Sequence, residues 1–137
     1  MVLQGAPLLN ARPWQMLGAM KPSQYVDSGE LPWRPSPHSG VRWKKLRYDD
    51  ETGASVVLLH FAPGASYGAH MHPAGEQYFV LAGALQDGQS TWSQGAFVHH
   101  APGSAHRPAS KEGCLLLVTL PAPIEPLEPH DATTTAL

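Results

Sequence analysis

Apolar and polar positions alternate along the middle of the chain with the period of two that is typical of a β-strand. Residues 41–48 show the pattern, with Val41, Trp43 and Lys45 on one face. An apolar run of strand length follows at 54–61, and Pro63-Gly64 ends it. Turn sequences at 72–75, 82–83, 87–88, 94–95 and 102–103 separate further candidates. These strand candidates span residues 66–72, 76–81, 84–85 with 90–92, 96–101, 105–109 and 113–120.

Seven or eight short strands at about 8–12-residue spacing predict an antiparallel sandwich or a small barrel. The two ends of the chain lack the pattern: residues 14–20 fit either a short helix or an arm strand, and residues 31–40 are too rich in proline for a central strand. We therefore predict one domain. It has an N-terminal arm and Pro-rich connector at 1–40, a barrel at 41–120 and a Pro-rich tail at 121–137.

Composition supports an all-β chain. Thirteen Gly and 14 Pro among 137 residues, with only 15% charged residues, disfavour a helix bundle. A net charge of −2 argues against nucleic-acid binding, and no apolar run approaches the roughly 20 residues that span a bilayer. The lone cysteine, Cys114, excludes an internal disulfide and a CxxC zinc site. With no signal-peptide pattern at the start, we expect a cytoplasmic protein.

Histidine is over-represented, at 8 of 137 residues. His70 and His72 lie two apart, which in a strand places both imidazoles on one face. After the turn that follows, Glu76 begins the returning strand opposite them, and His106, just after Pro102-Gly103, is the best candidate for a fourth ligand. Imidazoles with a carboxylate suit a divalent first-row metal, so we predict one ion per chain: Fe(II) or Zn(II) first, Mn(II) or Ni(II) as alternatives.

Three further residues are candidates for the wall of a pocket. Tyr78 shares a face with Glu76 and fits either a pocket hydroxyl or a core aromatic. His60 fits a pocket wall and a core position equally well. His99 and His100 point to opposite faces of their strand, so at most one of them, with His100 the pocket candidate, can enter the barrel.

The spacing of these residues resembles that of the cupin superfamily. The first cupin motif, G-x5-H-x-H-x3-E-x6-G, is matched in full by Gly64, His70, His72, Glu76 and Gly83. The second motif is matched by Gly95, Gly103 and His106, whereas Ala101 and Ser110 replace its Pro and Asn. The resemblance implies a double-stranded β-helix, or jelly-roll barrel, with a metal inside it.

Segments across residues 31–120 more closely resemble the ChrR-type cupin, the C-terminal domain of a zinc-containing anti-sigma factor. These segments include 31–33, 40–46, 62–65, 70–76, 80–83 and 101–106. The helical anti-sigma domain of that factor has no counterpart in this chain, so we do not expect an anti-sigma function. The subfamily also includes acetylacetone-cleaving dioxygenases, which use three histidines without the glutamate that stands here as Glu76.

The resemblance leaves two functional classes. One is an Fe(II) dioxygenase that cleaves a small diketone-like or phenolic ketone substrate. The other is a non-catalytic metal-dependent sensor or small-ligand-binding module. In either class the expected partner is a small molecule. We also expect a homodimer, because the segments at the two ends could cover exposed strand edges.

Overall fold

The computed structural model describes residues 21–128. The proposed helix or arm strand at 14–20 and the end of the tail from residue 129 lie outside this range. Apart from a short 3-10 turn at Ser28–Glu30, the regular structure described is β-strand, which confirms the all-β prediction. The strands are β1 (Arg34–Pro35), β2 (Val41–Tyr48), β3 (Ser55–Phe61), β4 (Ala65–Ser66), β5 (His70–His72), β6 (Glu76–Asp87), β7 (Ser90–Ser93), β8 (Phe97–His100), β9 (Ser104–His106), β10 (Ala109–Ser110), β11 (Cys114–Leu120) and β12 (Glu125–Pro126).

The strands form two antiparallel sheets. Nine of them make a large sheet in the order β1-β2-β3-β11-β6-β10-β4, with β7 and β8 also paired to β6. The small sheet has the order β12-β5-β9. β1 and β12 lie outside residues 41–120, so segments on both sides of the predicted barrel contribute strands to the sheets.

The concave face of the large sheet carries the core. Because side chains alternate along a strand, Phe61 of β3, Val80 of β6 and Leu116 and Val118 of β11 all point inward and are buried. Cys114 joins the same cluster, as expected for a small apolar side chain. On the opposite face Phe79 and Phe97 lie across from each other and are 40% and 60% exposed.

The turn predicted at residues 82–83 is wrong. β6 continues through Gly83 as one strand of 12 residues, and the register against β11 shifts just before it, where Leu81 is left without a partner. Gly83 has a φ of +74°, and a Cβ there would collide with the carbonyl of Gly113. The irregularity changes which residues face inward: Tyr78 and Val80 are buried before it, Leu85 and Asp87 after it.

A second register shift affects β2. Between Lys45 and Arg47 the pairing with β3 moves by one residue. Strict alternation would place Tyr48 on the face opposite Trp43, yet both line the interior of the sheet together with Lys45. The bulge therefore adds a third β2 side chain to that interior.

Within residues 21–128 no helix has the length and apolar character needed to cross a membrane.

Candidate metal centre

Three histidines from the small sheet meet at one point. β5 provides His70 and His72 on the same face, and β9 provides His106, which pairs directly with His70. The Nε2 atom of His106 lies 3.0 Å from Nε2 of His72 and 3.0 Å from Nε2 of His70. The hairpin geometry thus brings together three ring nitrogens that the sequence separates by up to 36 positions.

In His70 and His106, the hydrogen bond made by Nδ1 indicates that the other ring nitrogen, Nε2, carries the lone pair. His70 Nδ1 donates to the carbonyl of Gly68 at 2.7 Å, and His106 Nδ1 donates to Oδ1 of Asp87 at 2.9 Å. With both rings neutral, the two Nε2 atoms present lone pairs to each other, an arrangement that repels unless a metal ion or a proton lies between them. A separation of 3.0 Å is what two ligands on perpendicular metal–nitrogen bonds of about 2.1 Å would show.

Glu76 completes the group from the start of β6. Its Oε2 lies 3.2 Å from Nε2 of His72 and 3.4 Å from Nε2 of His106. The residue is 7% exposed, and this oxygen has no hydrogen-bond partner. A buried, unpaired carboxylate oxygen aimed at imidazole lone pairs is costly without a cation, so the four side chains fit a divalent metal.

Asp87 contacts the cluster on the side of the His106 ring that faces away from the other ligands. The sequence patterns did not indicate this residue. Its buried carboxylate accepts hydrogen bonds from His106 Nδ1 at 2.9 Å, from the Tyr78 hydroxyl at 2.7 Å and from His100 Nε2 at 2.7 Å. A carboxylate behind a histidine fixes the orientation of the ring and makes it a better ligand. The Asp-Gly pair that it belongs to was interpreted only as a turn, and no local signal indicated this role.

The protonation states reflect burial and this carboxylate. Burial lowers the pKa of His70 to about 4, which leaves its lone pair available at neutral pH. Burial acts to lower the pKa of His106, but its hydrogen bond to Asp87 and the negative charges of Glu76 and Asp87 together outweigh burial and raise the pKa above the ordinary value. For Asp87, burial acts in the raising direction, and the hydrogen bonds from His106, Tyr78 and His100 nevertheless hold the pKa well below its usual range. Asp87 therefore stays ionised.

A cavity of about 350 Å³ adjoins the cluster. His70, His72, Glu76 and His106 line it, while β3, β11 and β6 supply an apolar wall. Tyr67 also lines it, with its ring centroid 5.0 Å from that of His70. Nothing in the alternation pattern singled out Tyr67. The volume is that of a site for a small organic molecule.

The pocket candidates from the sequence lie in three different settings. Tyr78 lines the cavity and is 1% exposed. His100 points inward toward Asp87, whereas its neighbour His99 is exposed. His60 is not among the cavity-lining residues; it packs against the Trp33 ring at 5.7 Å, on the face of β3 opposite Leu59. Of the two positions that the sequence left open for His60, the structure does not show the pocket wall, because the inner face of β3 carries its odd-numbered residues.

Solved structures with the same fold include two related to one enzyme activity. A candidate acetylacetone dioxygenase from Methylibium petroleiphilum PM1 superposes with a TM-score of 0.74 at 20% identity, covering 85% of this chain and 88% of that one. The acetylacetone dioxygenase from Acinetobacter johnsonii superposes with a TM-score of 0.68 at 16% identity, covering 86% and 83%. At these identities the likeness establishes the fold, a cupin jelly roll.

A third structure is the anti-sigma protein ChrR of Rhodobacter sphaeroides, solved in complex with SigE. It matches with a TM-score of 0.58 at 26% identity over 67% of this chain, which spans about half (49%) of that one. No curated protein matches the chain. Residues 21–122 match the family model described as the ChrR cupin-like domain. The chain therefore belongs to the ChrR cupin-like domain family.

Proposed function

We propose that His70, His72, Glu76 and His106 bind one divalent metal ion per chain. The observation that carries this proposal is the convergence of imidazole lone pairs at 3.0 Å, with the unpaired Glu76 oxygen beside them. Nitrogen and carboxylate ligands without thiolate suit Fe(II) or Zn(II), and also Mn(II) or Ni(II). An alternative ligand set that includes His100 is disfavoured, because the Nε2 atom of that ring already donates to Asp87.

We further propose that the chain is an Fe(II)-dependent dioxygenase for a small diketone-like or phenolic ketone substrate. A reachable cavity beside the cluster supports an enzyme over a closed structural site. Bound iron would supply Lewis acidity and redox chemistry toward dioxygen. The chain's own residues hold the site: Asp87 orients His106, and the apolar wall excludes water and positions the substrate.

The second candidate is a non-catalytic metal-dependent sensor or small-ligand-binding module. Membership of the ChrR cupin-like domain family favours it, since ChrR itself is an anti-sigma protein. In this function the same cavity would hold a ligand without converting it. The predicted homodimer and cytoplasmic location are compatible with both candidates and stay predictions.

The metal proposal is tested by elemental analysis and calorimetry on protein stripped of metal and titrated with Fe(II) under anaerobic conditions. We expect one ion per chain. A stoichiometry near zero, or tight binding that survives loss of His106, would contradict the site.

The two functions are separated by oxygen consumption. Iron-loaded protein is mixed with acetylacetone and with phenolic ketones, and an oxygen electrode follows the reaction. An enzyme consumes one dioxygen per substrate cleaved. Binding of these compounds without oxygen uptake, in protein shown to carry iron, would support the ligand-binding module instead.

A further inference from the structure

The cavity differs chemically between its two ends. At the inner end lie the three histidines and Glu76. At the other end, β2 contributes Trp43, Lys45 and Tyr48, of which Lys45 and Tyr48 are exposed at the mouth. Apart from the histidines, Lys45 and Glu76 are the only basic or acidic residues that line the cavity among residues 21–128.

The pairing of the strands gives the distance along the sheet between the two ends of the cavity. Lys45, Val57, Val118 and Tyr78 form one row across β2, β3, β11 and β6. With strands about 4.8 Å apart, Lys45 lies roughly 14 Å from Tyr78 along the sheet. Tyr78 is bonded to Asp87 behind the histidine cluster. The row of side chains between the ends is apolar.

The Lys45 ammonium contacts two aromatic rings and, among residues 21–128, forms no ion pair with a carboxylate. Its ammonium lies 4.5 Å from the ring centroid of Tyr48 and 4.9 Å from that of Trp43. Neither ring accepts its hydrogen bonds as a carboxylate would, and within residues 21–128 no carboxylate forms an ion pair with it. A divalent ion at the inner end would add positive charge that Glu76 only partly offsets. The loaded cavity is therefore electropositive at both ends.

We propose that Lys45 is a specificity-determining residue that binds a carboxylate at the outer end of the ligand. This inference rests on the proposed function, because the other end of the ligand carries the ketone group that meets the histidine cluster. The substrate class is then an oxo-acid with an apolar middle, rather than a neutral ketone. Lys45 contributes binding and orientation and takes no part in bond cleavage.

The test compares two probes that share a diketone and differ in the charge at one end. 4,6-Dioxoheptanoate carries a 1,3-diketone and a carboxylate, and its methyl ester keeps the diketone without the charge. Calorimetry on zinc-loaded protein avoids turnover and measures both affinities. We expect the acid to bind about fivefold tighter than the ester, as for a partly exposed ion pair.

Variants assign the preference to one side chain. Lys45→Met should bind acid and ester equally, while Lys45→Arg should keep the preference. The matched control is Arg47→Met, which removes a cation from the same strand that does not line the cavity. Melting temperatures confirm that each variant is folded.

The outcomes distinguish this inference from the proposed function. Equal affinities in the wild-type chain, a preference that persists in Lys45→Met, or no binding of either probe would overturn the role of Lys45. Elemental analysis of the same samples reports separately on the metal. Protein that takes up no zinc would overturn the metal site and with it the premise of this inference. Equal affinities of acid and ester for protein shown to carry zinc would overturn the role of Lys45 alone.

Discussion

The two sheets of this protein differ in role: the large sheet carries the buried core, and the small sheet carries the histidine cluster. The large sheet has long strands, such as β6 with 12 residues and β2 with 8, and its inner face carries the buried core. The small sheet has strands of two or three residues, yet it supplies all three histidines of the cluster. The small sheet has little apolar surface of its own to bury. Its histidines are therefore positioned by polar contacts, above all with residues of β6.

β6 connects the two regions. Glu76 stands at its start and Asp87 at its end, and both contact His106. Substitutions in the large sheet should therefore change the free energy of unfolding, whereas substitutions in the small sheet should change ligand affinity with little effect on folding. The following predictions test that separation, starting with the largest effect.

Gly83→Ala tests the large sheet. A Cβ at this position meets the backbone of Gly113, in a left-handed conformation that alanine rarely adopts. We expect a loss of about 3 kcal/mol or more in the free energy of unfolding, measured by urea titration. The control is Gly95→Ala, which has a φ of +92° but open space around it, and should cost about 1 kcal/mol. Similar losses in both variants would show that backbone crowding at Gly83 is unimportant.

His106→Ala tests the small sheet. Removal of this side chain takes one ligand from the proposed site and should weaken metal affinity more than about 100-fold, since loss of a residue behind a ligand alone costs 10–100-fold. Metal titration by calorimetry measures it. The control His99→Ala removes an exposed histidine from the outer face of β8 and should leave affinity unchanged. An equal effect of the two variants would contradict the site.

Asp87→Asn tests the connection between the sheets. The amide keeps the size of the side chain but removes the charge that orients His106, so we expect metal affinity to fall about 10–100-fold. Asp50→Asn, an exposed residue in the turn after β2, is the control. Titration of both variants, with melting curves alongside, separates a positioning role from general destabilisation. Unchanged affinity in folded Asp87→Asn would show that His106 is oriented without the charge.

Chelation tests whether the metal contributes to the stability of the fold. A metal held by β5, β6 and β9 stabilises the folded state by about 2.7 kcal/mol at a hundredfold excess over Kd. Chelator should therefore lower the melting temperature by several degrees without unfolding the chain, because the core of the large sheet does not depend on the ion. His106→Ala should show almost no response to chelator. Superimposable melting curves of loaded and chelated wild-type protein would contradict any energetic link between metal and fold.

Local patterns were sufficient for much of this architecture. The bounds of β2 follow from alternation alone, and the spacing of His70 and His72 requires a shared face in any strand. The cupin motif, with Glu76 and His106, identified the residues that the structure brings together and the family to which the chain belongs. These features depend on neighbours in sequence or on a motif of known spacing, so the order of residues is enough to recognise them.

Residue order was thus enough for the all-β class, the family and the set of converging histidines. The face of each strand that points inward, in contrast, depends on how the strands pair. The bulge at Leu81 turns Asp87 toward His106, and the bulge after Lys45 turns Tyr48 into the cavity. His60 lies on the outer face of β3, while His100 reaches Asp87. Alternation with a period of two shows which residues share a face of a strand. A one-residue shift in the pairing reverses that face, and the shift depends on backbone contacts between strands that are distant in sequence.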